Sequence, residues 1–154
     1  VSGIIRSIAC FSGVKRRFEY HVKDDHQIYI DDYAHHPKEI DVAIRSVRDL
    51  FPDKDLTVVF QPHLFTRTRD FMDDFAQALS AADKVMLLDI YPARELPIEG
   101  VTSNVLLDKI TCKNKGVYDK SNFPEAVVKT GVLMTLGAGD IDTLIQPIKK
   151  YLTS

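Results

Sequence analysis

A chain of 154 residues, 45% hydrophobic and 27% charged, is long enough for one domain with its own core and has an ordinary globular composition. Lys plus Arg (20) nearly balance Asp plus Glu (22), a formal charge of −2, so no general attraction to nucleic acid or membrane is expected. No apolar run is long enough for a bilayer, no leader pattern opens the chain, and the two distant cysteines, Cys10 and Cys112, match neither a zinc set nor a disulfide framework and point to a reducing cytoplasm.

Ile4, Ile5, Ile8 and Phe11 recur at helical spacing, and Ser12-Gly13 ends that stretch. The chain opens on Val1 rather than Met, which suggests a piece of something longer. Lys15-Arg16-Arg17 is either a phosphate-binding edge or a solvated cluster. Phe18 to Val22 and Gln27 to Ile30 flank Lys23-Asp24-Asp25-His26 and predict a β-hairpin.

From Pro37 the pattern becomes helix and strand in turn. Ile40, Ala43, Ile44, Val47 and Leu50 mark a helix face that ends before Phe51-Pro52. Strands are predicted over Leu56 to Phe60, Val85 to Ile90, Gly116 to Tyr118 and Val132 to Leu136. Helices are predicted over Asp70 to Ala82, Ser103 to Ile110, Pro124 to Thr130 and Ile141 to Leu152. Such alternation implies a parallel sheet with right-handed crossovers. The expected fold is α/β: a Rossmann-like, three-layer domain of about six mostly parallel strands, with the antiparallel N-terminal hairpin at one edge.

The loops after the strands carry the chemistry-bearing residues. Asp31-Asp32-Tyr33-Ala34-His35-His36-Pro37 joins a strand to a helix. Its carboxylates, imidazoles and phenol suit phosphate, ribose, metal or carboxylate, or else simply cap a helix that begins at Pro37. After Leu56 to Phe60 comes Gln61-Pro62-His63-Leu64-Phe65-Thr66-Arg67-Thr68-Arg69. Arg67 and Arg69 there can grip carboxylate or phosphate or pair with Asp70 and Asp73, and Thr66 and Thr68 are candidate helix caps. Arg94 and Glu95 offer the opposite charges that an amino-acid zwitterion needs, or an incidental ion pair. Gly137-Ala138-Gly139-Asp140 permits close backbone approach to a ligand, yet it is a partial dinucleotide fingerprint, with Asp142 at the third glycine position. No P-loop, His-Glu-x-x-His or nucleophile elbow is present.

Together these loops, with Phe11 to Glu19 and Tyr91 to Gly100, form an ordered series that resembles the C-terminal domain of the Mur ligase family, nearest to the branch that adds L-alanine to UDP-N-acetylmuramate. The resemblance implies peptidoglycan synthesis, with ATP and Mg²⁺ converting the substrate carboxylate to an acyl phosphate that the amine of L-alanine attacks. It implies that residues 1–13 are the tail of a central ATP-binding domain or a linker, and 14–154 the C-terminal domain. N-terminal and central domains of the same enzyme would be its partners, holding the P-loop and the metal ligands, so no metal ligand is assigned in this chain. By the same resemblance Asp32 and Tyr33 lie near the nucleotide, while His35 and Arg67 act at the reacting groups. His36, His63, Arg69, Arg94 and Glu95 are placed on substrate. Two departures stand out: Leu64 where many members carry Arg, and Arg94 where Gly is usual. The alternatives are a murein-tripeptide recycling ligase of the same family and a nucleotide-binding module without chemistry.

Overall fold

The computed structural model describes residues 14–154; the helical spacing over Val1 to Phe11, the Ser12-Gly13 stop and Cys10 lie outside the described residues. The hairpin forms from β1 (Glu19–Lys23) and β2 (Gln27–Asp32). Asp24 turns it, accepting the N–H groups of His26 and Gln27 at 2.8 Å each, as Asx turns do. A bulge at His21 shifts the register between Tyr20 and Val22.

Next come α1 (Pro37–Leu50), β3 (Leu56–Phe60), α2 (Phe65–Asp70), α3 (Met72–Leu79), β4 (Lys84–Leu87), α4 (Ser103–Lys109), β5 (Asn114–Val117), β6 (Gly131–Leu136) and α5 (Ile145–Leu152). The strands lie in the order β1-β2-β6-β3-β4-β5, and every pairing except β1 with β2 is parallel. The expected fold class, with its hairpin at one edge, is the one observed.

Strand alternation sorts the core into two layers. Ile28, Ile30, Val58, Phe60, Val85, Leu87, Met134 and Leu136 face α1, α3 and α4. Tyr29, Val59, Met86 and Leu133 face Phe123, Val127 and the buried side of α5.

Three boundaries differ from the periodic reading. The helix expected over Asp70 to Ala82 starts earlier, at Phe65, and breaks at Phe71 (φ −118°, ψ 21°), where the ring packs against His36 at 4.8 Å. The one over Pro124 to Thr130 is a single 3₁₀ turn, Pro124–Ala126, because the chain extends at Val127 to bury that side chain. The last begins as a 3₁₀ turn, Asp140–Leu144, before α5. In addition, β4 ends at Leu87, after which Tyr91 makes one isolated parallel bridge with His63.

The layers position the site. From β2 the chain leaves to α1 on one face, whereas from the adjacent β6 it leaves to α5 on the other. The loops at these two strand ends diverge and open a crevice, the place where open α/β sheets receive ligands. No helix among the described residues is long and apolar enough to cross a membrane.

Candidate functional site at the carboxyl ends of the strands

Asp31, at the end of β2, is fully buried. Its Oδ2 accepts from Arg16 Nε at 2.8 Å and its Oδ1 from the Thr135 hydroxyl at 2.6 Å. Since the single Thr135 proton goes to Asp31, the Tyr29 hydroxyl, 3.2 Å from Thr135 Oγ1, is the donor of that contact. Burial pushes the Tyr29 phenol far above its ordinary value, so it stays protonated. The Arg16 guanidinium also donates to the Gly137 carbonyl at 2.8 Å.

Asp32 accepts the Phe18 N–H on Oδ2 (2.7 Å) and the Ala34 N–H on Oδ1 (2.8 Å). Each oxygen keeps a second lone pair. Tyr33 is exposed, its ring under the Arg16 guanidinium (5.2 Å) and edge-on to His35 (5.3 Å). His35 Nδ1 lies 3.0 Å from the Tyr33 carbonyl. A carbonyl only accepts, so Nδ1 carries the hydrogen of the neutral ring and Nε2 is left with a lone pair.

His36 caps α1. Its Nδ1 accepts the Lys38 N–H at 3.4 Å, while Glu39 accepts the N–H groups of His35 and His36 and Pro37 opens the helix, a capping box with histidine in the serine place. The ring of His36, assigned to substrate by resemblance, is committed to this cap and to Phe71.

In the next loop Leu64 sits at φ +72° and α2 has no side-chain cap of its own. Glu95 supplies one through space, accepting the Thr66 N–H at 3.0 Å and the Thr66 hydroxyl at 2.5 Å. The Thr66 hydroxyl, then the Thr66 N–H, hold the Glu95 carboxyl below its ordinary value. This corrects two expectations: Thr66 and Thr68 do not cap the helix, Thr68 bonding back to the Leu64 carbonyl at 2.8 Å, and Glu95 does not stand with Arg94 as a zwitterion clamp. Arg94 is exposed, follows Ala93 at φ +51°, and makes no side-chain hydrogen bond or ion pair among the described residues.

Arg67 and His63 form the centre of the second loop. Arg67 Nη1 donates to His63 Nδ1 at 3.2 Å, which leaves the hydrogen of the neutral His63 ring on Nε2. His63 stacks on Tyr91 (5.6 Å, 16°) and approaches His35 edge-on at 6.3 Å. Burial first, then the Arg67 guanidinium, lower its basicity. The site therefore brings together two imidazoles of opposite tautomer and a fixed guanidinium. Arg69 points elsewhere and pairs with Asp70 at 2.8 Å on the surface.

Because the folded His63 binds a proton less readily than the unfolded chain, its contribution is intact above the unfolded value near 6.5 and is lost as pH falls below it, where the unfolded state protonates first. Urea melts at pH 7.5 and 5.5 should show a smaller acid loss for His63→Asn than for the wild type. Equal losses in both would remove His63 as the group responsible.

In the loop after β6, Gly137 (φ +148°) presents its carbonyl to Arg16 and its N–H to the Asp32 carbonyl, the latter at 3.3 Å. A Cβ on Gly139 would stand 2.6 Å from Gln61 Oε1 and 2.7 Å from Tyr91. What approaches these glycines is thus the protein itself. Gln61 donates to Asp140 (2.7 Å) and accepts the Ile141 N–H (2.9 Å), and Lys120 donates to the other Asp140 oxygen. Burial would raise the Asp140 carboxyl, but Lys120 and Gln61 outweigh it and hold it below the ordinary range. Gly139→Ala is expected to destabilise by about 1–3 kcal/mol, the range for overpacking. A chemical-denaturation midpoint unchanged from wild type would contradict it.

Glu19, His21 and Asp31 bring ligand atoms within 4.8 Å of one another, but both Asp31 oxygens already accept protein donors and Arg16 supplies the cation. Magnesium wants several free carboxylate or water oxygens. With both Asp31 oxygens engaged, the Glu19, His21 and Asp31 cluster does not fit a magnesium site. Cys112 is a free, half-buried thiol away from these loops.

The family model for the Mur ligase, glutamate ligase domain matches residues 16–141. The chain belongs to the Mur ligase family. A UDP-N-acetylmuramate–L-alanine ligase of Christiangramia forsetii is 53% identical over 99% of this chain, and one of Cytophaga hutchinsonii is 53% identical over 97%. The chain spans about a third of these curated relatives, 34% and 32% of their lengths. The crystal structure of a UDP-N-acetylmuramate-alanine ligase from Thermotoga maritima superposes with a TM-score of 0.75 over 98% of this chain and 35% of its own, at 23% identity, which is a likeness of fold. This Mur ligase domain keeps the series Asp31 to Pro37, Gln61 to Arg69 and Gly137 to Asp140 at adjacent strand ends. Sequence reasoning missed Arg16, Gln61 and Tyr91 as organisers of the site. Each stands within a stretch already singled out, Phe11 to Glu19, Gln61 to Arg69 or Tyr91 to Gly100, but their partners lie far along the chain.

Proposed function

We propose that this chain is the C-terminal domain of an ATP-dependent ligase that joins L-alanine to UDP-N-acetylmuramate in peptidoglycan synthesis. The observation that carries the reading is 53% identity to such ligases across nearly the whole chain. The geometry supports it. Tyr33 offers an exposed aromatic face for a base, and the free lone pairs of Asp32 suit a ribose hydroxyl. Arg67, oriented by His63, keeps free donors for the charge that would develop on an acyl phosphate and its tetrahedral adduct.

The lone pair on His35 Nε2 can take the proton that the alanine nitrogen must lose as it bonds the acyl carbon and phosphate departs. ATP binds in this reading between the domain and the rest of a longer cytoplasmic enzyme, whose N-terminal and central parts supply the P-loop, the Mg²⁺ ligands and the sugar-nucleotide site. Arg94 stays a candidate contact to the amino acid from its exposed place after Ala93.

Phosphate release by the longer parent chain, with Mg-ATP and UDP-N-acetylmuramate, tests the proposal when L-alanine or a murein tripeptide is offered and this chain is run alongside. Release that requires L-alanine, with this chain silent alone, is the expected result. A requirement for the tripeptide would move the function to recycling. Turnover by this chain alone would overturn the division of labour.

A further inference from the structure

Lys15, Arg16 and Arg17 stand in one run, but Arg16 behaves differently from its neighbours. Lys15 and Arg17 are exposed, whereas the Arg16 side chain is 12% exposed. Its Nε binds Asp31 on β2 and its Nη2 binds the Gly137 carbonyl after β6, each at 2.8 Å. Its guanidinium plane lies over Tyr33. Its own backbone carbonyl accepts the Tyr33 N–H at 2.8 Å, and its N–H donates to Glu19. Arg16 and Phe18 both hold positive φ, 57° and 47°, a conformation that non-glycine residues keep when their surroundings enforce it.

We infer that Arg16 is a positioning residue: one guanidinium fixes the Tyr33 loop against the Gly137 loop across the crevice and thereby sets how tightly that crevice holds a nucleotide. The nucleotide part of this rests on the ligase reading above. The two loops leave toward opposite faces of the sheet, and among the described residues the hydrogen bond that ties them beyond the ladder, apart from those of Arg16, is the 3.3 Å contact from the Gly137 N–H to the Asp32 carbonyl. An arginine is required because its planar fork serves two acceptors and an aromatic face together. A lysine can neutralise Asp31 but cannot also reach Gly137 and cover Tyr33.

The test uses the full-length parent with Arg16→Lys, and with Arg16→Gln combined with Asp31→Asn as a second variant that leaves no buried charge unpaired. For either variant, melting close to wild type should accompany a KM for ATP raised on the order of fivefold, the scale of one lost hydrogen bond, with kcat within about twofold. Peptides covering residues 33–36 and 137–140 should exchange amide hydrogen faster while the middle of α1 does not. Adding Tyr33→Leu to Arg16→Lys should raise KM no further than Tyr33→Leu alone. Wild-type KM and unaltered exchange in a folded variant would overturn the inference, as would a loss confined to kcat. If the wild-type parent releases no alanine-dependent phosphate, the ligase reading falls, and unchanged exchange in the two loops still decides against Arg16.

Discussion

Arg67→Ala in the full-length parent is expected to lower turnover at least about tenfold, about 1.4 kcal/mol of barrier, and His35→Ala to do the same. The case for Arg67 is its anchoring. Most arginines in a first helical turn are solvated or paired with a nearby acid, as Arg69 is with Asp70. Arg67 instead donates to a histidine that burial keeps neutral and that is itself stacked on Tyr91. The guanidinium is thus oriented by a partner that carries no negative charge, and it acts on the Glu95 carboxylate without forming an ion pair with it among the described residues.

Arg67→Lys should recover part of the loss by restoring charge without the fork. His63→Asn should weaken turnover less than Arg67→Ala, since it removes the orientation and leaves the cation. Steady-state phosphate release gives kcat and KM for each variant. Unchanged kinetics in Arg67→Ala and His35→Ala together would remove both from the site.

Alternation made most of the fold legible. Each strand of the parallel sheet is a short apolar run whose odd and even residues face different layers, and the helices carry their apolar residues at the complementary period. The errors fall where a single residue obeys a distant neighbour. Phe71 interrupts a helix because His36, across the layer, offers its ring a partner. Val127 ends a turn because the core against Leu133 accepts its side chain.

The site was legible in its loops but not in its division of labour. Asp31, His36 and Glu95 looked like free chemistry, yet each completes a structural bond: Asp31 to Arg16 and Thr135, His36 at the start of α1, Glu95 at the start of α2. The glycines of 137–140 read as room for a ligand and turned out to make room for Gln61 and Tyr91. For Asp31, Glu95 and the glycines the partner lies far along the chain, so spacing carried no sign of it, whereas the His36 cap is local, made with Lys38 and Glu39. His35 and Arg67 kept unsatisfied hydrogen-bonding capacity because the groups that hold them, the Tyr33 carbonyl and His63, use only one end of each.

Asp31→Ala should be the most destabilising single change at this end of the sheet, by about 3–5 kcal/mol, because it breaks a buried ion pair from one side. The carboxylate is wholly enclosed and its removal strands the guanidinium of Arg16, which retains only the Gly137 carbonyl and the face of Tyr33. The Thr135 hydroxyl, which accepts from Tyr29, loses its own acceptor as well. Against a total stability of about 5–15 kcal/mol for a domain of this kind, that loss leaves the chain marginal. Asp32→Ala provides the contrast. It gives up two accepted backbone N–H groups but sits at the half-buried rim, where water can replace the carboxylate, so about 1–2 kcal/mol is expected. Urea unfolding of the two variants separates the cases: the Asp31→Ala midpoint should fall by more than twice the shift of Asp32→Ala. Similar shifts would mean that the Arg16–Asp31 pair breaks even against its desolvation, and the strained backbone at Arg16 would then have to be held chiefly by its main-chain bonds to Tyr33 and Glu19.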